Sequence, residues 1–106
     1  MSARKKTLDQ LQTAYRLADR TVDERREEAD TLGTSIAFQR LASAQRRRWL
    51  AVAAVYAWLD INSPRGSEWR VGVSSHWVCA YLTEEDALSE TPDSLPPPQR
   101  RRKAGL

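Results

Sequence analysis

Gly33 stands between two helix-length stretches of chain that contain no other glycine and no proline. The first opens with Thr7-Leu8-Asp9-Gln10, a capping box in which the Thr7 hydroxyl and the Gln10 side chain serve backbone amides at a helix start. Leu8, Leu11, Tyr15, Ala18, Val22, Arg25, Ala29 and Leu32 then recur at alternating steps of three and four, an a/d stripe with one polar intruder, Arg25. Charges fill the intervening positions, with Arg20–Glu24 and Arg26–Asp30 at i,i+4. Gly33 suits the position after a helix end, where a missing Cβ permits positive φ. Thr34 or Ser35 can cap a second helix, which Asn62-Ser63-Pro64 stops. Helices over 7–32 and 35–61, each about 39 Å long at 1.5 Å per residue and joined by so short a turn, must lie antiparallel. The sequence therefore predicts an all-α (mainly α) fold built on a helical hairpin over 7–61.

The second arm is unusual. Up to Arg48 it is amphipathic, with Ile36, Leu41 and Ala44 inward and Arg40, Gln45, Arg46 and Arg47 available outward. From Trp49 to Ile61 it is apolar on nearly every side, and one partner helix covers only one side of such a cylinder. The rest needs the C-terminal part of the chain, a second copy, or both. A chain of 106 residues allows one domain and buries a modest fraction of its surface, so pairing is a natural way to complete the core. The expected dimer is a four-helix-bundle-like core with Trp49, Val52, Val55, Tyr56 and Leu59 at its centre.

Beyond the hairpin the pattern weakens. Residues 62–75 read as a loop or short strand, since Trp69, Val71 and Val73 alternate. His76–Leu82 can be a second strand after a Ser74-Ser75 turn. Alternatively Ser75 caps a short third helix within 76–91, with Trp77, Val78, Tyr81, Leu82 and Leu88 on one face; Glu84 to Leu88 continues a helix well, and an isolated hairpin is marginal. Residues 1–6 form a basic leader, and 92–106, with Pro96–Pro98 and Arg100–Lys103, a disordered Pro-rich basic tail.

Composition excludes several classes. Apolar residues make up 41% and charged ones 29%, a globular balance. The lone Cys79 allows no intrachain disulfide and gives no sign of secretion. The longest apolar run, Trp49–Leu59, has 11 residues, too few to span a bilayer, and it lacks a signal-peptide layout. An intracellular chain without membrane association is expected. His76 and Cys79, at i,i+3, are two ligands short of a zinc site, and no oxyanion-type segment accompanies them. The acidic run Asp23, Glu24, Glu27, Glu28 and Asp30 lies among arginines and reads as a solvated face. No phosphate-cradling loop or dinucleotide fingerprint is present. The expectation is a protein with no catalytic residues, metal or cofactor.

Charge points elsewhere. Residues 1–34 sum to zero, 35–67 to +4, 68–99 to −5 and 100–103 to +4, so the net +3 conceals a basic second quarter. Arg40 and Arg47, seven apart, share a helix side; Arg46 and Arg48 flank Arg47 at steps of about 100°, so the triplet cannot all be buried. Arg16 and Arg20 lie one turn apart on the first helix and can extend the patch. A two-fold axis would duplicate it into a long basic surface, suited to the phosphates of a duplex; double-stranded RNA in particular is read by shape and backbone. Arginines that merely keep a helix soluble are an equally ordinary reading.

Three segments resemble the RNA-silencing suppressor proteins of insect nodaviruses, which are short, helical, dimeric binders of double-stranded RNA. Leu8-Asp9-Gln10-Leu11-Gln12-Thr13-Ala14 is similar to the family's first helix. Leu50-Ala51-Val52 with Leu59 and Pro64 resembles the close of its second. Trp77-Val78-Cys79-Ala80-Tyr81-Leu82 with Glu84-Glu85 resembles its short third helix. Together they span about a third of the chain. The stretch from Pro64 to Trp77 is longer than the family's link, and no Arg or Lys occurs from Trp49 to Ser63, where the family carries basic RNA contacts. The resemblance implies a homodimer that binds duplex RNA without sequence preference and shields it. Arg40, Arg46, Arg47 and Arg48 are the expected phosphate contacts, with Arg16 and Arg20 in second rank. The cytoplasm is the expected compartment, that of the host if the chain is viral, and the basic tail Arg100–Lys103 offers nuclear entry as a further route. The rival expectation is a small viral or phage interaction module that inhibits a host protein by presenting Trp49, Tyr56, Trp58 or Trp69. A DNA-binding regulator fits less well, since no short recognition unit is visible.

Overall fold

The computed structural model describes residues 6–89, and it is a helical hairpin with its open end plugged. Helix α1 spans Leu8–Leu32 and α2 spans Ser35–Asn62. A 3₁₀ turn over Gly66–Arg70 and two short helices, α3 (Ser75–Ala80) and α4 (Glu84–Leu88), follow. The basic leader, save Lys6, and the Pro-rich tail expected over 92–106 lie outside the described residues.

The caps form as the sequence predicts. The Gln10 amide donates to Thr7 Oγ1 at 3.2 Å, and the Thr7 amide to Gln10 Oε1 at 2.9 Å. Gly33 takes φ +63° and donates its N–H to the Ala29 carbonyl at 2.8 Å, a left-handed turn that a Cβ would strain. The Ala37 amide donates to Thr34 Oγ1 at 3.1 Å. The two long helices lie antiparallel against each other, with Leu8, Tyr15, Val22 and Ala29 buried on α1 and Ala37, Ala44, Val55 and Leu59 on α2. Arg25 and Leu32 leave the predicted stripe: Arg25 is half-buried at its edge and Leu32 is exposed.

Among the described residues there is no strand, which resolves the choice over 68–82. Trp69 turns fully inward while Val71 stays exposed. The alternation fails because the Trp69 indole donates to Ser63 Oγ at 3.0 Å, curling the chain back onto the end of α2. Among the described residues, the third helix expected within 76–91 is split in two rather than continuous. Tyr81 leaves helical geometry and the Thr83 hydroxyl caps α4 by accepting from the Asp86 amide at 3.1 Å; the break swings Leu82 into the core.

The plug is tied down by polar groups as well as apolar ones. Trp69, Val78, Cys79, Leu82 and Ala87 join Leu8, Tyr15, Val55, Tyr56 and Leu59 in one buried cluster. Gln12 of α1 donates to the carbonyls of Val78 and Leu82, and Ser63 Oγ donates to that of Ala87. Among the described residues no helix is long and apolar enough to cross a membrane.

Candidate functional site

The arginines expected to act together point in different directions. Arg40 and Arg47 do share a side of α2, as seven residues (about 20° of rotation) require. One step on, Arg48 falls into the hairpin seam, where Nη1 donates to Asp19 Oδ1 at 3.1 Å. One step back, Arg46 lies on the outer surface, away from α1. Arg16 is also drawn off the patch: Nη1 donates to the Ala80 carbonyl at 2.7 Å and Nη2 to Thr13 Oγ1 at 3.1 Å, fastening the end of α3. Arg20 is exposed on α1. Arg20, Arg46 and Arg47 hold no ion pair or hydrogen bond among the described residues. The expected Arg20–Glu24 pair is not formed.

What the fold does assemble is a groove between the helices near their turn. It encloses about 380 Å³ and is lined by Arg25, Arg40 and Arg47 with Thr21, Gln39 and Ser43. Arg25 comes from α1, where it reads in the sequence only as a polar interruption of an apolar stripe. Its membership becomes visible once the antiparallel register sets it across from Arg40. One carboxylate steadies the pair: Glu28 lies 3.5 Å from Arg25 and 3.7 Å from Arg40. Its Oε1, the oxygen nearest Arg40, is buried without a hydrogen bond. Three guanidinium groups against one carboxylate leave the groove cationic. The hydroxyls and amide beside them are donors of the kind phosphate oxygens accept.

Two further features bear on chemistry. His76 Nδ1 is hydrogen-bonded to Tyr15 Oη at 2.8 Å, so that ring nitrogen faces the phenol rather than the thiol. Cys79 is fully buried, and burial pushes its thiol up to about 12, which suppresses the thiolate that nucleophilic chemistry needs. Tyr15 is likewise pushed up to about 12, by burial first and then by Asp19.

Of the residues expected at a dimer core, Val55, Leu59 and Tyr56 are buried within the single chain and Val52 is half-buried. Of the covers the sequence allows, α1 and the C-terminal plug of the same chain bury Val55, Tyr56 and Leu59, and Val52 stays partly open. Trp69, expected as an interface anchor, is buried too, and Trp58 is half-buried. Trp49 is different. It is 71% exposed, Leu50 65% and Ile61 77%. No protein-family model matches the chain, and no curated protein or solved structure matches it.

Proposed function

We propose that this chain is a homodimeric, sequence-independent binder of double-stranded RNA that shields the duplex from processing enzymes, and so acts as a suppressor of RNA silencing. The observation that carries the reading is the interhelical groove in which Arg25, Arg40 and Arg47 converge with Thr21, Gln39 and Ser43. Guanidinium forks match phosphate oxygens, and neutral donors beside them hold a backbone in place without reading bases. Among the expected contacts, Arg40 and Arg47 stay in the proposal; Arg25 joins them, Arg46 lies outside the groove, and Arg48 and Arg16 serve the fold.

The test is a gel shift with duplex RNA over a range of salt. Arg40→Ala/Arg47→Ala should weaken binding and reduce the salt slope by about one for each phosphate that the variant no longer neutralises. Arg20→Ala should change little. An absence of duplex binding at low salt, or unchanged affinity in the double variant, rules the reading out. The exposure of Trp49 favours a second reading, a module that inhibits a host protein. A stoichiometric protein partner that survives nuclease treatment and does not bind Trp49→Ala would support it.

A further inference from the structure

The arginine groove has an apolar continuation. Toward the open end of the hairpin, Ala54, Trp58 and Ile61 of α2 stand across from Leu11 of α1 around a second hollow of about 580 Å³. Arg40, Ser43, Arg47, Leu50, Ala54 and Trp58 follow one another at steps of three and four, so both hollows lie on one stripe of α2. That stripe is on the flank away from the plug. Tyr56, bonded at 3.1 Å to Ser75 at the start of α3, is two residues, or about 200° of rotation, from Ala54 and from Trp58. The two hollows therefore form one trough between the long helices, cationic toward the turn and apolar toward the open end. From Arg40 to Ile61 it runs about 32 Å at 1.5 Å per residue. Small side chains, Ser43, Ala44 and Ala54, line it, while Leu50 and Ile61 stand exposed along its edge.

We propose that this trough docks an amphipathic helix of another protein, acidic in one half and apolar in the other. A hairpin with one open flank lacks one helix of a three-helix bundle, and a concave channel between two helices matches a cylinder about 10 Å across. A flat lipid surface reaches only the edges of such a channel. Small residues along it let a third helix approach closely. Charge then fixes the chemistry of the occupant. Arg25 and Arg40 share the single carboxylate of Glu28, and Arg47 has no ion pair among the described residues, so the cationic half calls for carboxylates. Leu50, Trp58 and Ile61 call for leucine-like or aromatic side chains in the other half. No described helix of this chain supplies that pattern to a second copy: α2 has the wrong sign, and the exposed residues of α1 mix Arg16 and Arg20 with Glu24 and Glu27. The chain's own residues beyond Ser89 fit poorly as well. They would enter at the apolar end, beside Glu84 of α4, and bring Arg100–Lys103 toward the arginines, like charge on like.

The probe is a labelled synthetic peptide of about 20 residues, long enough for the trough. It carries glutamates on one face of its first half and leucines on the same face of its second. Fluorescence anisotropy with the full chain should show saturable binding, and a twin with lysine at each glutamate should bind at least about tenfold more weakly. Leu50→Ser, at an exposed position that leaves the core intact, should weaken binding about tenfold. Arg47→Glu should weaken the acidic peptide and strengthen its lysine twin. Amide shifts on binding should map to both halves of the trough and spare His76 and Tyr81 on the plugged flank. Several outcomes overturn the docked helix: no binding, equal binding of the two peptides, or shifts confined to the plugged flank. So do nuclear Overhauser contacts from Leu95 to Trp58 in the free chain, displacement of the peptide by phosphatidylglycerol vesicles, or self-association that Leu50→Ser abolishes. The inference does not rest on the RNA reading, but it shares Arg40 and Arg47 with it, so duplex RNA and the peptide should exclude each other. The two fail separately. A chain that binds the peptide and ignores duplex RNA refutes the RNA reading alone, and one that shifts duplex RNA and ignores the peptide refutes the docked helix alone.

Discussion

Gln12 of α1 donates its side-chain amide to the carbonyl oxygen of Leu82 at 2.6 Å, and to that of Val78 at 2.9 Å. The end of α3 leaves the Val78 carbonyl without a helical partner, Leu82 lies in the link beyond it, and a buried amide on a different helix serves both carbonyls. The contact bridges residues 70 positions apart and fixes the plug to the hairpin.

Replacing Gln12 with Leu keeps the volume but orphans both carbonyls. Unfolding free energy in urea should fall by about 2–4 kcal/mol, and amides of α3 should exchange faster than those of the hairpin turn. A decrease under about 0.5 kcal/mol would mean that water serves the carbonyls equally well.

Ser63 is the corresponding hub at the end of α2. It donates to the Ala87 carbonyl and accepts from the Trp69 indole and, at 3.3 Å, from the Arg65 amide. Ser63→Ala should cost about 2–3 kcal/mol by orphaning buried polar groups. Adding Trp69→Phe, which deletes the orphaned N–H, should cost less in that background than in the wild type, a coupling that a double-mutant cycle detects. Strict additivity would show that the indole bond contributes nothing.

Stability should fall at alkaline pH. Cys79 rises from 9.0 and Tyr15 from 10.0, each to about 12 in the folded chain. Between those ordinary values and about 12 the unfolded chain loses protons that the folded chain keeps, so unfolding free energy declines as pH rises through this window and is unaffected by these groups below it. Denaturation followed from pH 8 to 12 checks the sign. A parallel check is thiol labelling at pH 8, where Cys79 should react only in denaturant. Rapid labelling of the native chain would contradict its burial.

Much of the fold is legible in local sequence. The capping box at Thr7, the left-handed Gly33, the absence of helix breakers on either side of it and the stop at Pro64 each act within a turn of chain, and they set the hairpin to within a residue. The site is less legible, because its members come from different elements. Helical spacing puts Arg40 and Arg47 together and separates Arg46 from Arg48. Nothing local shows that Arg48 meets Asp19, that Arg16 reaches Ala80, or that Arg25 crosses to Arg40.

The sequence alone determined an all-α hairpin with a basic stretch in its second arm, since helix starts, stops and periodicities are short-range properties of the backbone. Tertiary packing decided which arginines are consumed by the fold and which remain at the surface. It also decided that Val55 and Leu59 are covered by their own chain while Trp49 is left bare. The physical reason is that burial depends on what arrives from far along the chain: residues 66–88 fold over one flank of the open end, and no pattern within α2 states which flank that is.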